Sequence, residues 1–161
     1  MIEKLKYFVS QSKGCKGSVM KYSALDIAKY VINYEHKNSR EISNLRLQKL
    51  LYFVQAKCLV DKGEPCFEDD LEAWDYGPVV PAVYYKYSKF HSKPIVEIEL
   101  CTDIVNDIMD IINCVLDFFR NITTFELVQI THSQSPWIEA RQKGSKSIIS
   151  KDSIRNYFIN V

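Results

Sequence analysis

The residues that could carry out chemistry are few and scattered in this 161-residue chain. His36, His91 and His132 follow no metal-binding spacing, and neither an HExxH pattern nor a cysteine–histidine cluster is present. A nucleophile needs a base within hydrogen-bond reach, and the one cysteine–histidine pair worth considering, Cys66 with His132, has no supporting spacing. We therefore expect no catalytic residue, no metal and no cofactor, and a protein that is not an enzyme.

Motifs for nucleotides and DNA give no better support. The chain has no GxSxG, Walker A or GxGxxG motif, and the consecutive residues Glu68-Asp69-Asp70 suit a solvated turn better than a cation site. A helix-turn-helix is the remaining alternative. However, the two helices expected between Ser23 and Val60 are joined by about ten polar residues, where the usual turn has about three or four. This argues against nucleic acid as a partner.

Composition indicates one globular cytoplasmic domain. Apolar residues make up 47% of the chain, and 21 basic residues balance 20 acidic ones. No apolar run approaches the roughly 20 residues that a membrane span needs, and the N-terminus has no signal-peptide pattern. Five cysteines without a CxxC pair suit reduced thiols, and Cys58 and Cys114 are expected to be buried.

Helical periodicity and helix start signals dominate the chain. The predicted N-caps, in chain order, are Ser23, Ser43 or Asn44, Thr102, Thr123, Ser135 and Ser150. Thr123 and Glu126 form a T-x-x-E capping box, and Pro81 suits the first turn of a helix. The helix after Asn44 is apolar on most sides, which is typical of the centre of a bundle.

The fold class predicted from these signals is all-α, a compact single-domain helical bundle of about six to eight helices. At most a minor β element is expected near Ile95–Leu100, where apolar and acidic residues alternate but no partner strand is evident. Residues 1–19 form an N-terminal extension of uncertain status. They could open with an amphipathic helix, or translation could start at Met20. The domain is accordingly assigned to residues 20–161.

Aromatic residues concentrate around the sequence EAWDYGPVVP. Trp and Tyr are frequent in protein-binding hot spots, although most are expected to fill the core with their polar tips bonded. Tyr84 and Tyr85 are adjacent on a predicted helix, about 100° apart, so they cannot face the same side. At least one of the two should be exposed.

Three segments carry a family resemblance. The run Asn44–Phe53 reads NLRLQKLLYF, the run Glu72–Pro81 reads EAWDYGPVVP, and Thr131–Trp137 reads THSQSPW with Arg141 after it. In this order they resemble the Panacea antitoxin domain family, which includes SocA-like antitoxins and phage-associated GepA-like proteins. The motif residues, structural or partner-binding, are Leu47, Gln48, Lys49, Leu50, Tyr52, Ala73, Trp74, Tyr76, Gly77, Pro78, Val79, Pro81, Val83, Tyr84, Thr131, His132, Pro136, Trp137 and Arg141.

The resemblance implies an all-helical antitoxin that neutralises a cognate toxin by direct contact. The toxin would be encoded by a neighbouring gene, in a prophage-associated toxin–antitoxin system. The alternatives are an adaptor that delivers the toxin to an AAA+ protease and a DNA-binding prophage regulator. The family brings no catalytic residue with it, and the oligomeric state stays open.

The motif residues themselves suit a scaffold. Gly77 can adopt the positive φ of a tight turn, and Trp74, Tyr76 and Trp137 are expected to pack this turn against the helices. Lys49 and Arg141 are charged groups in apolar surroundings, which usually cap helix ends or pair with carboxylates such as Glu72. For the toxin contact, Tyr85 and the loop Cys66–Asp70 are the candidates.

Overall fold

Seven α-helices account for most of residues 22–161, the part of the chain that the computed structural model describes. They are α1 (Ala24–Lys37), α2 (Asn44–Asp61), α3 (Pro81–Tyr87), α4 (Asn106–Phe119), α5 (Thr124–His132), α6 (Ser135–Lys143) and α7 (Lys151–Ile159), with a short 3-10 helix at Ser88–Phe90. The predicted helical class is confirmed. The N-terminal extension, its amphipathic pattern and the alternative start at Met20 lie outside the described residues.

Helix α2 is the centre of the bundle. Helices α1, α4, α5 and α7 all pack against it, and it is buried on nearly every side. The ring of Phe53 lies 4.3 Å from that of Phe119 on α4 and 6.2 Å from that of Phe158 on α7, measured between centroids. A helix with apolar side chains all round needs such enclosure, because any free side would expose hydrophobic area to water.

Polar side chains of α2 are buried with it and bind loop backbone. Arg46 donates to the carbonyls of Ile122 (2.6 Å) and Phe119 (2.9 Å) at the end of α4, where helical carbonyls have no partner within the helix. Gln55 donates to the Phe67 carbonyl (2.8 Å) and accepts from the Cys66 amide (2.8 Å). These contacts fix the loop after α2 and the C-terminus of α4.

Most helices begin where the sequence predicts. Four N-caps are confirmed by a side chain that accepts a backbone N–H, namely Ser23, Ser43, Thr123 and Ser150. The prediction for Thr102 is wrong: its hydroxyl donates to Asp26 (2.7 Å), and α4 begins only at Asn106. In α6 the N-cap is Gln134 and not Ser135, a shift of one residue.

A small antiparallel sheet interrupts the helices. It consists of β1 (Leu71–Trp74), β2 (Gly77–Val79) and β3 (Ile148–Ile149) in the order β2-β1-β3. The β element expected at Ile95–Leu100 is therefore placed wrongly. Only Ile95 makes a backbone bond there, to Ile42 (2.8 Å), and no strand among residues 22–161 lies beside the rest of that segment.

Of the two cysteines expected to be buried, one is buried and the other is not. Cys58 is buried as expected, but Cys114 is exposed, because it shares a face of α4 with Asp110 and Asp117. None of the helices in residues 22–161 is both long and apolar enough to cross a membrane.

Candidate functional site

The three sequence motifs meet at the hairpin formed by β1 and β2. From α2, the Lys49 ammonium donates to the Pro78 carbonyl (2.7 Å), and the Tyr52 hydroxyl donates to the Gln134 side chain before α6 (2.7 Å). From α6, the Trp137 indole N–H donates to the Trp74 carbonyl (3.0 Å). We call these six residues, together with the neighbouring Gly77, Thr131, His132 and Arg141, the motif cluster.

Gly77 makes this close packing possible. Its φ is +101°, a value that favours glycine, and a Cβ there would lie 2.7 Å from the Thr131 hydroxyl and 2.9 Å from Cε of Lys49. Thr131 is held in turn by donating to the Val128 carbonyl (2.9 Å). Any larger residue at Gly77 would have to push apart α2, α5 and the hairpin.

Lys49 is a fully buried amine bound to a backbone carbonyl, not to a carboxylate. Burial lowers its pKa to about 7, because the charged form loses its hydration. The expected pairing with Glu72 is wrong: Glu72 accepts from the Trp74 indole N–H (2.7 Å). No part of Lys49 reaches the surface, and its hydrogen bond connects α2 to the hairpin.

Arg141 pairs with a carboxylate, but with a different one from that expected. Its guanidinium donates to Asp75 (2.7 Å), to the Ala73 carbonyl (3.4 Å) and to the Ser145 hydroxyl (3.2 Å). Asp75 stands at the turn of the hairpin, so these bonds connect the turn to α6.

His132 closes the cluster by stacking. Its ring lies 4.1 Å from that of Trp137 and nearly parallel to it. Burial and the nearby charge of Lys49 lower its pKa. Within residues 22–161, Nε2 of His132 is buried without a partner, and no group of three or more metal-ligating side chains is found.

The other motif residues divide between core and surface. Those buried in the core are Leu47, Leu50, Ala73, Val79, Val83 and Pro136. Gln48 is also buried and accepts from the Val80 amide (2.9 Å), just before Pro81 at the start of α3, as predicted. The prediction that Tyr76 packs against the helices is wrong, because its side chain is 69% exposed.

A pocket of about 380 Å³ opens to the surface above the motif cluster, and we call it the aromatic pocket. Its residues are Asn44, Leu45, Gln48, Trp74, Asp75, Tyr76, Val79, Tyr84, Ser88, His91, Ser92, Ser145 and Lys146. The rings of Trp74 and Tyr84 are 4.8 Å apart, and Tyr85 extends this aromatic wall at 5.5 Å from Tyr84. Tyr85 is 61% exposed, which confirms that one of the two adjacent tyrosines faces solvent.

Two pocket residues could not be singled out from the sequence. Lys146 places its ammonium 4.4 Å from the Trp74 ring centroid, in a loop whose only local signal is the preceding Gly144. Leu45 looks like a core residue by periodicity but is exposed at the pocket. The loop Cys66–Asp70 also departs from expectation: Cys66 and Phe67 are buried, and Asp69 accepts from the Ala24 amide (2.8 Å).

The chain is similar to a known protein family and to a known antitoxin. A family model described as "Antitoxin SocA-like, Panacea domain" matches residues 47–138, from α2 into α6. Antitoxin SocA of Caulobacter vibrioides (strain NA1000 / CB15N) is 38% identical over 109 residues, which cover 60% of this chain and 58% of that protein. The chain thus matches less than two thirds of this relative's length. No solved structure matches the chain.

Proposed function

This chain belongs to the family of SocA-like antitoxins with a Panacea domain, and on that basis we propose that it neutralises a cognate toxin by direct contact and not by catalysis. We further propose that the toxin is encoded by a neighbouring gene in a prophage-associated pair, and that both proteins act in the cytoplasm. The domain we assign to this role is residues 20–161, because α1 and α7, outside the matched range, pack on α2.

The aromatic pocket is the observation that carries this proposal. Trp and Tyr are the side chains most enriched where protein partners bind tightly, since they bury large areas at little cost in entropy. Here Trp74 and Tyr84 line a pocket whose rim includes the exposed Tyr76. The motif cluster beneath fixes the hairpin that carries two of these rings, so the surface is preorganised for a partner.

Growth of cells that express the adjacent gene, with and without this chain, is the first test. We expect the neighbour's product to arrest growth alone and growth to recover when both are present. Tyr76→Ala and Tyr85→Ala should weaken the rescue, while Phe125→Ala, whose side chain is also 69% exposed but on α5 outside the pocket, should not. Toxicity without rescue would contradict the proposal.

The amount of toxin in rescued cells separates direct neutralisation from the alternative of a proteolytic adaptor. Direct contact predicts that the toxin persists and copurifies with this chain. If the toxin instead disappears, and persists when the AAA+ proteases of the host are removed, the chain acts as an adaptor. The experiment therefore decides between the two without assuming either.

A further inference from the structure

A row of apolar side chains faces solvent between the 3-10 helix and α4. Val96, Ile98 and Leu100 are 73%, 68% and 96% exposed, while Glu97 and Glu99 between them are half-buried. This alternation has the period of an extended strand. We call residues 96–101 the outer ridge.

Ion pairs fix the orientation of the outer ridge. Glu97 binds Lys89 (2.5 Å), and Glu99 binds Lys86 (3.2 Å) and Lys29 of α1 (3.4 Å). The carboxylates are thereby drawn toward the body of the protein, and the apolar side chains point outward. A half-buried strand in a soluble protein normally has the reverse arrangement, with apolar side chains in and charges out.

The backbone of the outer ridge also has few hydrogen-bond partners among residues 22–161. Ile95 donates to the Ile42 carbonyl, but within residues 22–161 no bond between backbone groups involves residues 96–101. The Asn33 side chain accounts for one carbonyl, that of Glu99 (2.8 Å). A segment whose side chains alternate as in a strand, with an apolar face and few paired amides and carbonyls, is a template for another strand.

We propose that the outer ridge receives an extended strand of the toxin, which pairs with the backbone of residues 96–101. The strand would carry an apolar side chain at every second position, in line with Val96, Ile98 and Leu100. This inference rests on the proposed antitoxin function and adds the form of the partner's contacting segment. Strand addition of this kind obtains its affinity from main-chain hydrogen bonds and its selectivity from alternate side chains.

The structure favours a strand over the other occupants. A docked helix would cover the apolar side chains but would take the ridge backbone away from water without giving it partners, which is costly. A second copy of this chain pairing antiparallel about Ile98 would place Glu97 opposite Glu99 of the other copy, and like charges in that position are destabilising. A toxin strand has neither disadvantage.

The outer ridge and the aromatic pocket both contact α3. Lys86, which binds Glu99, follows directly after Tyr84 and Tyr85 on α3. A single partner that lays a strand on the outer ridge can therefore reach the aromatic pocket as well.

The test is the affinity of the full chain for the purified product of the neighbouring gene, measured by calorimetry. Ile98→Lys and Leu100→Asp should each weaken binding roughly tenfold or more, because each puts a charge where an apolar contact is expected. Phe125→Lys is the matched control, since Phe125 is 69% exposed and Ile98 68%. Its affinity should stay within about twofold of the wild-type value.

Hydrogen exchange of the complex then distinguishes a strand from a mere apolar contact. We expect the amides of residues 96–101 to exchange more slowly when the toxin is bound. Weaker binding of the variants without slower exchange would overturn strand addition, and so would unaffected binding of both variants. If these amides already exchange slowly without toxin and the chain self-associates, a second copy pairs with the outer ridge, and the proposal of a toxin strand is overturned.

If the wild-type chain does not bind the neighbour's product at all, the proposed function fails and the inference fails with it. If the wild-type chain binds and both variants bind equally well, only the inference fails. The two results cannot be confused.

Discussion

The motif cluster and the outer ridge place charged and apolar residues in opposite environments. In the motif cluster a lysine is enclosed: Lys49 is buried, with the Pro78 carbonyl as acceptor. In the outer ridge the charges are held against the body while Ile98 and Leu100 face water. The first arrangement costs solvation and fixes a hairpin, and the second leaves apolar area uncovered. We infer that the cluster serves stability and the ridge serves binding, so substitutions in the two regions should have different readouts.

The largest effect on stability is expected for Gly77→Ala. The new methyl would meet Thr131 and Lys49 inside 3 Å, at a φ that L-residues rarely adopt. Strain and overpacking together should lower the free energy of unfolding by about 3 kcal/mol or more. Urea denaturation followed by circular dichroism measures this.

Gly63→Ala is the matched control for that substitution. Gly63 also has a positive φ, +75°, but a Cβ there would have no atom within 4 Å. We expect a loss of about 1 kcal/mol from the backbone alone. Equal losses at Gly63 and Gly77 would show that the contacts of the motif cluster do not matter.

Lys49 should make stability depend on pH. Its pKa is about 7 when folded and near 10.5 when unfolded, so between these values the unfolded chain holds a proton that the folded protein lacks. Stability therefore rises with pH, by about 2–3 kcal/mol from pH 7.5 to 9.5. Below about pH 7 this dependence ends, because both states are then protonated.

Lys49→Met isolates this effect, since it keeps a straight side chain of similar length without the amine. The difference in unfolding free energy between wild type and Lys49→Met should increase over that pH range, while all other groups cancel. His132, which also faces Lys49, has its pKa lowered and titrates below this range. A difference that stays constant with pH would mean that Lys49 is charged in the folded protein.

A smaller loss is expected for Tyr52→Phe. The Tyr52 hydroxyl donates to the buried Gln134 side chain at the start of α6, and removing it leaves that oxygen unpaired. We expect a loss of about 1–2 kcal/mol in unfolding free energy. Tyr85→Phe, at an exposed tyrosine, should change it by less than about 0.5 kcal/mol. Matching losses in the two variants would count against a special role for the cluster.

Most correct predictions about the fold rest on local sequence signals such as helix N-caps. Ser23 and Thr123 act through residues three positions away, so a window of a few residues is enough to find their helices. The same signal misled at Thr102, where a hydroxyl binds Asp26, 76 residues away in the chain. A capping residue with a distant partner cannot be recognised from its neighbours.

The candidate site depends on distant contacts even more strongly. Family motifs indicated which segments matter, and all three meet at the hairpin. That Lys49 binds the Pro78 carbonyl, and Arg141 binds Asp75 in place of Glu72, depends on how three elements pack. Lys146 reaches the pocket through the same packing. For the outer ridge, alternation was visible in the sequence, but its inverted orientation comes from lysines on α1 and α3.

The smallest effect on stability, and the sharpest contrast with the motif cluster, is expected for Leu100→Asp. A side chain that is 96% exposed has little apolar contact to lose, so the unfolding free energy should change by less than about 0.5 kcal/mol. A loss above about 1.5 kcal/mol would place the outer ridge in the stabilising core and remove the distinction between the two regions. An unchanged stability, combined with lost toxin affinity, would show that this surface is kept apolar at no benefit to the fold. The benefit would then have to lie in the partner that covers it.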